Sequence, residues 1–263
     1  MVPCYNEANR LQGEEFRTYV QAKRDVSFLF VNDGSTDQTL QMLQQLGSLV
    51  PAQIQILNMP VNSGKAEAVR EGMLAALSSG PAYVGFWDAD LATPLAAIDD
   101  LLGVFAGHPE LEIVLGARVK LLGRDVQRLA VRHYLGRAFA TCVSAVLRLP
   151  IYDTQCGAKL FRVSEDLETV LQERFSSRWI FDVELLARFL RVWNGDREQA
   201  GRKIYEFPLH RWRDIPGSKV RAKDFVTAAK ELLGIWWKYR RQDTYATVRE
   251  GNETTHAGPS PRL

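Results

Sequence analysis

Cysteine is scarce in this sequence of 263 residues: Cys4, Cys142 and Cys156 are odd in number and widely spaced. Such a set does not suit a disulfide framework and favours a reducing compartment. The chain also lacks an apolar run of about 18 residues, the length that a membrane-spanning helix requires. Its first residues do not have the pattern of a signal peptide. These absences predict a cytoplasmic protein without a spanning helix.

Other absences narrow the classes of function. No Gly-x-Gly-x-x-Gly follows a predicted strand, which disfavours a dehydrogenase-type nucleotide fold. Zinc-finger spacing and an aromatic, basic RNA-binding pattern are both missing, and the net charge is only +2, so we expect no nucleic-acid partner. With 46% hydrophobic and 24% charged residues, the chain has the composition of a globular protein with a sizeable core.

Short apolar runs alternate with helical patterns through about residue 116. The predicted strands are Val26 to Val31, Ile54 to Leu57, Tyr83 to Trp87 and Glu112 to Leu115. This alternation predicts an α/β fold with a mixed, mostly parallel central sheet and helices on both faces. Beyond that point, helical spacing runs from about Val126 to Leu147, and residues 208–220 are predicted to form a loop.

Two carboxylates, Asp88 and Asp90, directly follow the apolar run that ends at Trp87. Oxygen ligands at the carboxyl end of a buried strand lie in the crevice where open α/β sheets bind ligands, and they suit a hard divalent cation. Such a cation can hold a nucleotide diphosphate. Alone, the pattern also fits a solvated turn at a strand end, so its interpretation depends on other segments.

Three further segments bring polar residues to strand ends. They are Val2-Pro3-Cys4-Tyr5-Asn6-Glu7, Asn32-Asp33-Gly34-Ser35 and Asn62-Ser63-Gly64-Lys65. The first two, followed by Asp-x-Asp, resemble the ordered signatures of glycosyltransferase family 2. The resemblance implies a single GT-A type nucleotide-binding domain over residues 1–223. Because only Met1 and Val2 precede the first signature, we expect either a vestigial first strand or a translation start set too far downstream.

The second half of the chain extends the resemblance. The segments Asp153-Thr154-Gln155-Cys156-Gly157 and Gly217-Ser218-Lys219 resemble the branch that makes polyprenyl-phosphate sugars, most of all dolichyl-phosphate β-glucosyltransferases. The Gln-x-x-Arg-Trp segment of polymer-making relatives is absent. The resemblance implies an inverting transfer of a hexose, with glucose from UDP-glucose as the first expectation, to a polyprenyl or dolichyl phosphate. GDP-mannose stays open as the donor.

The resemblance also assigns roles to residues. Asp90, helped by Asp88, would bind a magnesium or manganese ion. The expected nucleotide-binding residues are Pro3, Tyr5, Asn6, Glu7, Asp33, Ser35, Lys65, Asp88 and Lys219. A phosphate monoester, with a second pKa of about 6, is already an anionic nucleophile at neutral pH and needs cations more than a base.

Arg118 and Arg132 would supply those cations by the same resemblance, with Arg137 and Lys219 as weaker candidates. Asp153 would orient the arginines or the reacting sugar. For Asp182 and Glu184, at the opening of a predicted helix, a capping role and a role in the site are both open.

Residues 224–241 are predicted to form an amphipathic helix surrounded by lysine and arginine. Its apolar stripe consists of Phe225, Ala229, Leu232, Trp236 and Tyr239. Aromatic rings among cations are typical of a helix on an anionic membrane, so we expect peripheral attachment to the cytoplasmic face of a membrane. An ordinary core helix would have the same periodicity. Residues 242–263 are predicted to be a disordered tail.

Two other functions compete with lipid glycosylation. Transfer to a glycan or soluble hydroxyl would require a base carboxylate near the anomeric carbon and would not require Arg118 and Arg132. A noncatalytic nucleotide-sugar-binding protein is the other alternative. The presence of Asp33, Asp90 and Arg132 argues against it.

Overall fold

The computed structural model describes residues 1–127, 130–215 and 226–239, and it describes residues 130–133 by their backbone alone. Lys219, Phe225 and the predicted tail therefore lie outside the described residues. Within the described ranges, strands and helices alternate along the first half of the chain, as the apolar runs predict.

The strands are β1 (Val2–Cys4), β2 (Phe28–Asp33), β3 (Ile54–Met59), β4 (Tyr83–Trp87), β5 (Ile113–Ala117), β6 (Asp125–Gln127), β7 (Ala158–Arg162), β8 (Ile204–Pro208) and β9 (Arg211–Arg213). The helices are α1 (Gly13–Ala22), α2 (Thr39–Leu49), α3 (Lys65–Leu77), α4 (Ala97–Gly107), α5 (Ala130–Leu147), α6 (Glu165–Leu171), α7 (Phe181–Val192), α8 (Arg197–Lys203) and α9, residues 226–239.

Seven of these strands form the central sheet. Strands β1, β2 and β3 are parallel in the order β1-β2-β3, and the other four have the order β4-β7-β5-β8. The main chain of Met1 joins the two groups: its nitrogen donates to Gly85 O at 2.6 Å, and Trp87 N donates to Met1 O at 3.0 Å. Strand β7 is antiparallel to both of its neighbours, whereas β8 is parallel to β5. The predicted mixed, mostly parallel sheet is confirmed.

A hydrophobic core lies on each face of the sheet, because successive side chains of a strand point to opposite faces. Phe30 of β2 packs against Phe16 of α1 with ring centroids 4.9 Å apart, in the core that α1, α2 and α4 cover. Its neighbour Val31 belongs to the other core, with Met73 of α3 and residues of α5, α6, α7 and α9. Burial on both faces explains the nearly continuous apolar runs of the parallel strands.

Two local predictions were wrong. Residues 125–127, at the start of the predicted helix, form β6, and residues 211–213, in the predicted loop, form β9. The two strands pair in parallel with Val126 opposite Trp212, and both of these side chains are buried. Burial of Val126 against Trp212 stabilises the two strands, each of which has one apolar residue between two polar ones.

The C-terminal helix α9 differs in phase from the predicted stripe. Ala228, Leu232 and Ile235 are its buried residues and join the core beside α7, whereas Ala229 is exposed. Trp236 and Trp237 are 37% and 57% exposed. The helix is therefore docked on the core by one face and leaves apolar side chains on another. Among the described residues, no helix combines the length and apolarity needed to cross a membrane.

Gly85 tests the close packing of β4 against β7. A Cβ at this position would lie 2.1 Å from Lys159 O and 2.7 Å from a methyl carbon of Leu160, so the strands would have to shift. We expect Gly85→Ala to lower the free energy of unfolding by about 1–3 kcal/mol, measured by urea denaturation. The control is Gly103→Ala in α4, where the added Cβ meets no atom within 4 Å and should stabilise the helix by up to about 1 kcal/mol. Equal urea midpoints for the two variants would contradict this account.

Candidate functional site

A cavity of about 560 Å³ lies at the carboxyl ends of β1, β2, β4 and β5. The predicted site residues that line it are Pro3, Tyr5, Glu7, Asp33, Lys65, Asp88, Asp90, Arg118, Arg137, Asp153 and Asp182. Asn6, Ser35 and Glu184 lie outside its lining. The side chain of Arg132 and the whole of Lys219 are outside the described residues, so they stay predictions.

Asn6 and Ser35 brace the turns after β1 and β2. Asn6 N donates to Ser35 Oγ at 3.1 Å, and Asn6 Oδ1 accepts from Thr36 N at 2.9 Å. Asn6 has a φ of 52°, a left-handed conformation that asparagine tolerates better than most residues. These two signature residues thus fix the shape of the backbone at the cavity rim.

Asp33 fixes the loop that leads into α3. Its buried carboxylate accepts from Asn62 Nδ2 at 3.0 Å, Ser63 N at 2.6 Å and Gly64 N at 2.9 Å. Gly64 has a φ of +93°, which strains any residue with a side chain. Asp33 therefore connects the end of β2 to the start of α3 while it lines the cavity.

Asp88 contacts residues from both halves of the chain. Its Oδ1 accepts from Lys65 Nζ at 2.6 Å, and its main-chain nitrogen donates to Gly157 O at 2.9 Å. A Cβ on Gly157 would lie 1.8 Å from Asp88 Oδ2, so the carboxylate can take this position only beside a glycine. The Asp-x-Asp and Asp-Thr-Gln-Cys-Gly signatures are thus in direct contact.

The surroundings of Asp90 disfavour its ionised form. Burial and the neighbouring Asp88 raise the pKa of Asp90, which means that its carboxylate is poorly compensated. Asp90 Oδ1 accepts from Ala92 N at 3.1 Å, and Arg10 lies 3.8 Å from Oδ2. Burial alone would lower the pKa of Lys65, but Asp88 and other nearby carboxylates raise it.

The donor set fits a metal shared with a ligand. Within the described ranges, no group of three or more His, Cys, Asp or Glu side chains could hold a metal ion. Asp88 and Asp90 would therefore supply two carboxylates at most, and magnesium is commonly held by one or two carboxylates with substrate phosphates and water.

Arg118 and Asp153, which also line the cavity, form a bidentate ion pair. Arg118 Nε donates to Asp153 Oδ2 at 2.6 Å and Nη2 donates to Oδ1 at 2.8 Å. Although burial opposes it, Asp153 raises the pKa of Arg118, so the guanidinium stays charged. The described contacts use Nε and Nη2 and leave Nη1 of Arg118 for a further anion.

Arg137 of α5 lies against Tyr152. Its guanidinium is 3.6 Å from the ring centroid, and Nη1 donates to Tyr152 O at 3.1 Å. Apolar residues of the same helix, Phe139 and Ala140, continue the cavity wall. We call Lys65, Asp88 and Asp90 the acidic wall of the cavity, and Arg118, Arg137, Phe139 and Ala140 its basic and apolar wall.

The two carboxylates at the start of α7 have different positions. Asp182 lines the cavity, and its Oδ1 accepts from the buried Lys159 Nζ at 2.6 Å. Glu184 is fully buried and accepts from Ser177 N at 2.8 Å and Arg188 Nη2 at 2.9 Å. Burial opposes ionisation of Glu184, but these bonds lower its pKa, so it is a structural anion.

Sequence reasoning missed several residues of this region. Arg178 and Trp179 line the cavity just before α7, and Glu231 of α9 binds the backbone of their loop. A basic and aromatic pair before a helix is a weak local signal. Glu231, more than 50 residues further along the chain, has no local signal at all.

Comparisons with known proteins agree with the predicted family. A family model described as Glycosyl transferase family 2 matches residues 1–165. The dolichyl-phosphate beta-glucosyltransferase ALG5A of Trichomonas vaginalis is 30% identical over 246 residues, which cover 89% of this chain and 71% of that protein. The dolichyl-phosphate beta-glucosyltransferase of Saccharomyces cerevisiae is 29% identical over a region that covers 91% of this chain and 74% of the yeast protein.

Solved structures share the fold at lower identity. The mannosyltransferase PcManGT from Pyrobaculum calidifontis, in complex with GDP-Man and Mn2+, has a TM-score of 0.56 at 18% identity and covers 99% of this chain and 64% of that chain. For M. tuberculosis glucosyl-3-phosphoglycerate synthase, the TM-score is 0.56 at 18% identity, and the match covers 93% of this chain and 78% of that chain. These likenesses support the GT-A type fold. The family model covers more than half of the chain and a 30% identical relative aligns with most of it, so the chain belongs to glycosyltransferase family 2.

Proposed function

We propose that this glycosyltransferase moves a glucosyl residue, with inversion, from a nucleoside diphosphate sugar to a polyprenyl or dolichyl phosphate. The observation that carries the proposal is the 29–31% identity with proteins named dolichyl-phosphate beta-glucosyltransferase, over about nine tenths of the chain. The cavity supports it, since one wall is acidic and the other is basic and apolar. UDP-glucose is the expected donor.

The acidic wall is suited to the donor. Asp88 and Asp90 would hold a magnesium or manganese ion, which supplies charge neutralisation for the leaving diphosphate. The raised pKa of Asp90 supports this assignment, because two close carboxylates are stabilised by a cation. Lys65 fixes one oxygen of Asp88, and Asp33 holds the loop beside it. Pro3, Tyr5 and Glu7 form the adjoining wall, where the nucleoside would lie.

The basic and apolar wall is suited to a phosphorylated lipid. A phosphate acceptor is already a nucleophile and requires fixed cations, which Arg118 and Arg137 provide. Phe139, Ala140 and Ala228 also line the cavity and offer apolar surface for the first isoprene units. Asp153 would act through Arg118, because it holds that guanidinium by two hydrogen bonds.

Attachment to a membrane would complete the acceptor site. One stripe of α9 consists of Val226, Lys230, Leu233 and Trp237, all of them exposed. These residues are three or four positions apart and lie on one helix face. Apolar and aromatic side chains with a lysine among them fit the interface of an anionic membrane. We therefore propose that α9 binds the membrane by this outer stripe.

An acceptor panel tests the proposed function. Purified full chain is incubated with UDP-glucose, GDP-mannose and other nucleotide sugars, each with a short polyprenyl phosphate, the matching polyprenol, or a soluble glycan. We expect transfer to the polyprenyl phosphate alone, with the highest rate from UDP-glucose. Transfer to the polyprenol or the glycan would instead favour a hydroxyl acceptor and a base among the carboxylates that line the cavity. Absence of transfer to every acceptor would favour a noncatalytic binding protein.

Asp90→Asn tests the metal. The amide retains an oxygen for Ala92 N but loses the anionic ligand, so we expect a normal melting temperature and a kcat lowered by about 100-fold or more. Excess chelator should have a similar effect on the wild-type protein. The control is Asp99→Asn, since Asp99 pairs with Lys23 on the surface of α4. Full activity of Asp90→Asn would remove this carboxylate from the mechanism.

Arg118→Lys tests the acceptor phosphate. Lysine leaves a cation beside the buried Asp153 but cannot bind both that carboxylate and a phosphate in a forked arrangement. We expect KM for polyprenyl phosphate to rise by about tenfold or more while KM for the nucleotide sugar stays near the wild-type value. Arg202→Lys, in an exposed pair with Glu198, is the control. An equal rise in both KM values would assign Arg118 to the donor.

Leu233→Ser with Trp237→Ser tests membrane binding. Truncation before α9 would uncover the core, whereas these side chains are 65% and 57% exposed and their replacement preserves the fold. We expect sedimentation with anionic liposomes to weaken in the double variant and, for the wild type, to weaken with salt. Leu49→Ser, at a 63% exposed position of α2, should bind like the wild type. Unchanged binding of the double variant would contradict attachment through α9.

A further inference from the structure

The cavity holds more cations than its ion pairs use. Among the described residues, its cationic lining side chains are Arg10, Lys65, Arg118, Arg137 and Arg178. The first three form ion pairs with carboxylates of the cavity, and Arg137 donates to a main-chain oxygen. For Arg178, no ion pair joins the guanidinium to a carboxylate in the described part of the chain. No carboxylate of the described residues therefore neutralises its positive charge.

The guanidinium of Arg178 lies over the main chain just before α3. A Cβ placed on Gly64 would be 3.3 Å from Arg178 Nη2 and 3.5 Å from Nε. The next residue, Lys65, is the one that contacts Asp88. Arg178 thus reaches from the loop before α7 to the acidic wall of the cavity.

Glu231 holds the backbone from which Arg178 projects. Its carboxylate accepts from Ser177 Oγ at 2.5 Å and from three consecutive main-chain nitrogens, those of Arg178 at 3.3 Å, Trp179 at 3.1 Å and Ile180 at 3.1 Å. Hydrogen bonds to a charged acceptor are shorter and stronger than neutral ones. These four bonds join α9 to the cavity loop and fix the point where the Arg178 side chain begins.

We propose that the Arg178 guanidinium binds the diphosphate of the nucleotide-sugar donor and that Glu231 is its positioning residue. The inference rests on the proposed donor class. A diphosphate is strongly anionic, whereas the cations already paired with carboxylates contribute little net charge. The planar fork of a guanidinium matches phosphate oxygens, and its position beside Gly64 and Lys65 places it at the metal end of the cavity.

Calorimetric titration of the purified full chain in magnesium buffer tests the contact. UDP, GDP, ADP and dTDP are compared first, and the tightest nucleotide is then compared with its own nucleoside. We expect Arg178→Ala to lower affinity for the diphosphate by about tenfold or more and to leave affinity for the nucleoside unchanged. The matched control is Arg174→Ala, since Arg174 is 81% exposed and pairs with Glu67 outside the cavity lining.

Glu231→Gln tests the positioning role. Glutamine keeps one acceptor oxygen and loses the charge, so we expect a smaller loss of affinity for the diphosphate and again none for the nucleoside. In the double variant with Arg178→Ala, the loss should equal that of Arg178→Ala alone, because Glu231 acts through Arg178. A purely structural effect would lower affinity for both ligands and would add to the effect of Arg178→Ala.

Three outcomes would overturn the inference in different ways. Wild-type affinity for the diphosphate in Arg178→Ala would remove the contact and leave the proposed function intact. Additive losses in the double variant would remove the positioning role of Glu231. If the wild-type chain binds none of the nucleoside diphosphates, both the inference and the proposed donor class fail.

Discussion

The close contact between Asp88 and Gly157 is the constraint on which the rest of the site depends. The Asp88 carboxylate occupies space that a Cβ on residue 157 would fill. The main-chain nitrogen of Asp88 also donates a hydrogen bond to Gly157 O. This contact brings β4, which ends in Asp-x-Asp, against the segment before β7. Asp153 lies in that segment and holds Arg118. The contact therefore fixes the position of Asp88 relative to the segment that carries Asp153.

A second feature of the site is that its signature residues divide into two groups. In the first group, Asp88 pairs with Lys65, whereas Asp90 has only the more distant Arg10 as a cationic neighbour. The second group consists of Asn6, Ser35 and Asp33, whose hydrogen bonds hold turns and loops in place. Replacing a residue of the second group would change the backbone near the ligand and would affect binding indirectly. Fixed backbone at the rim is a requirement for precise placement of a metal and a diphosphate.

A structural feature could be predicted where neighbouring residues in the sequence determine it, and could not where it depends on contacts between distant segments. The parallel strands could be predicted because burial on both faces requires an apolar run, and polar signatures at their ends then meet at one edge of the sheet. Strands β6 and β9 could not be predicted, since a strand of three residues with one buried side chain is too short to show a repeating apolar pattern. The predicted apolar stripe of α9 included Ala229 and Trp236, whereas the buried face is formed by Ala228, Leu232 and Ile235, because helical spacing alone does not show which side of the helix meets the core. Glu231 and Arg178 depend on a contact between distant segments, which sequence spacing does not reveal.

Strand β7 has a consequence for the order in which the protein forms during synthesis. It is inserted antiparallel between β4 and β5, so these two strands have no common partner until residues 158–162 have been made. A nascent chain that stops short of β7 exposes two unpaired edges, the arrangement that favours aggregation. The span matched by the family model, residues 1–165, ends just after this strand. Strands β4 and β5 are therefore joined only after synthesis has passed the nucleotide-binding half of the chain, and the outer edge of β5 is covered later still, by β8.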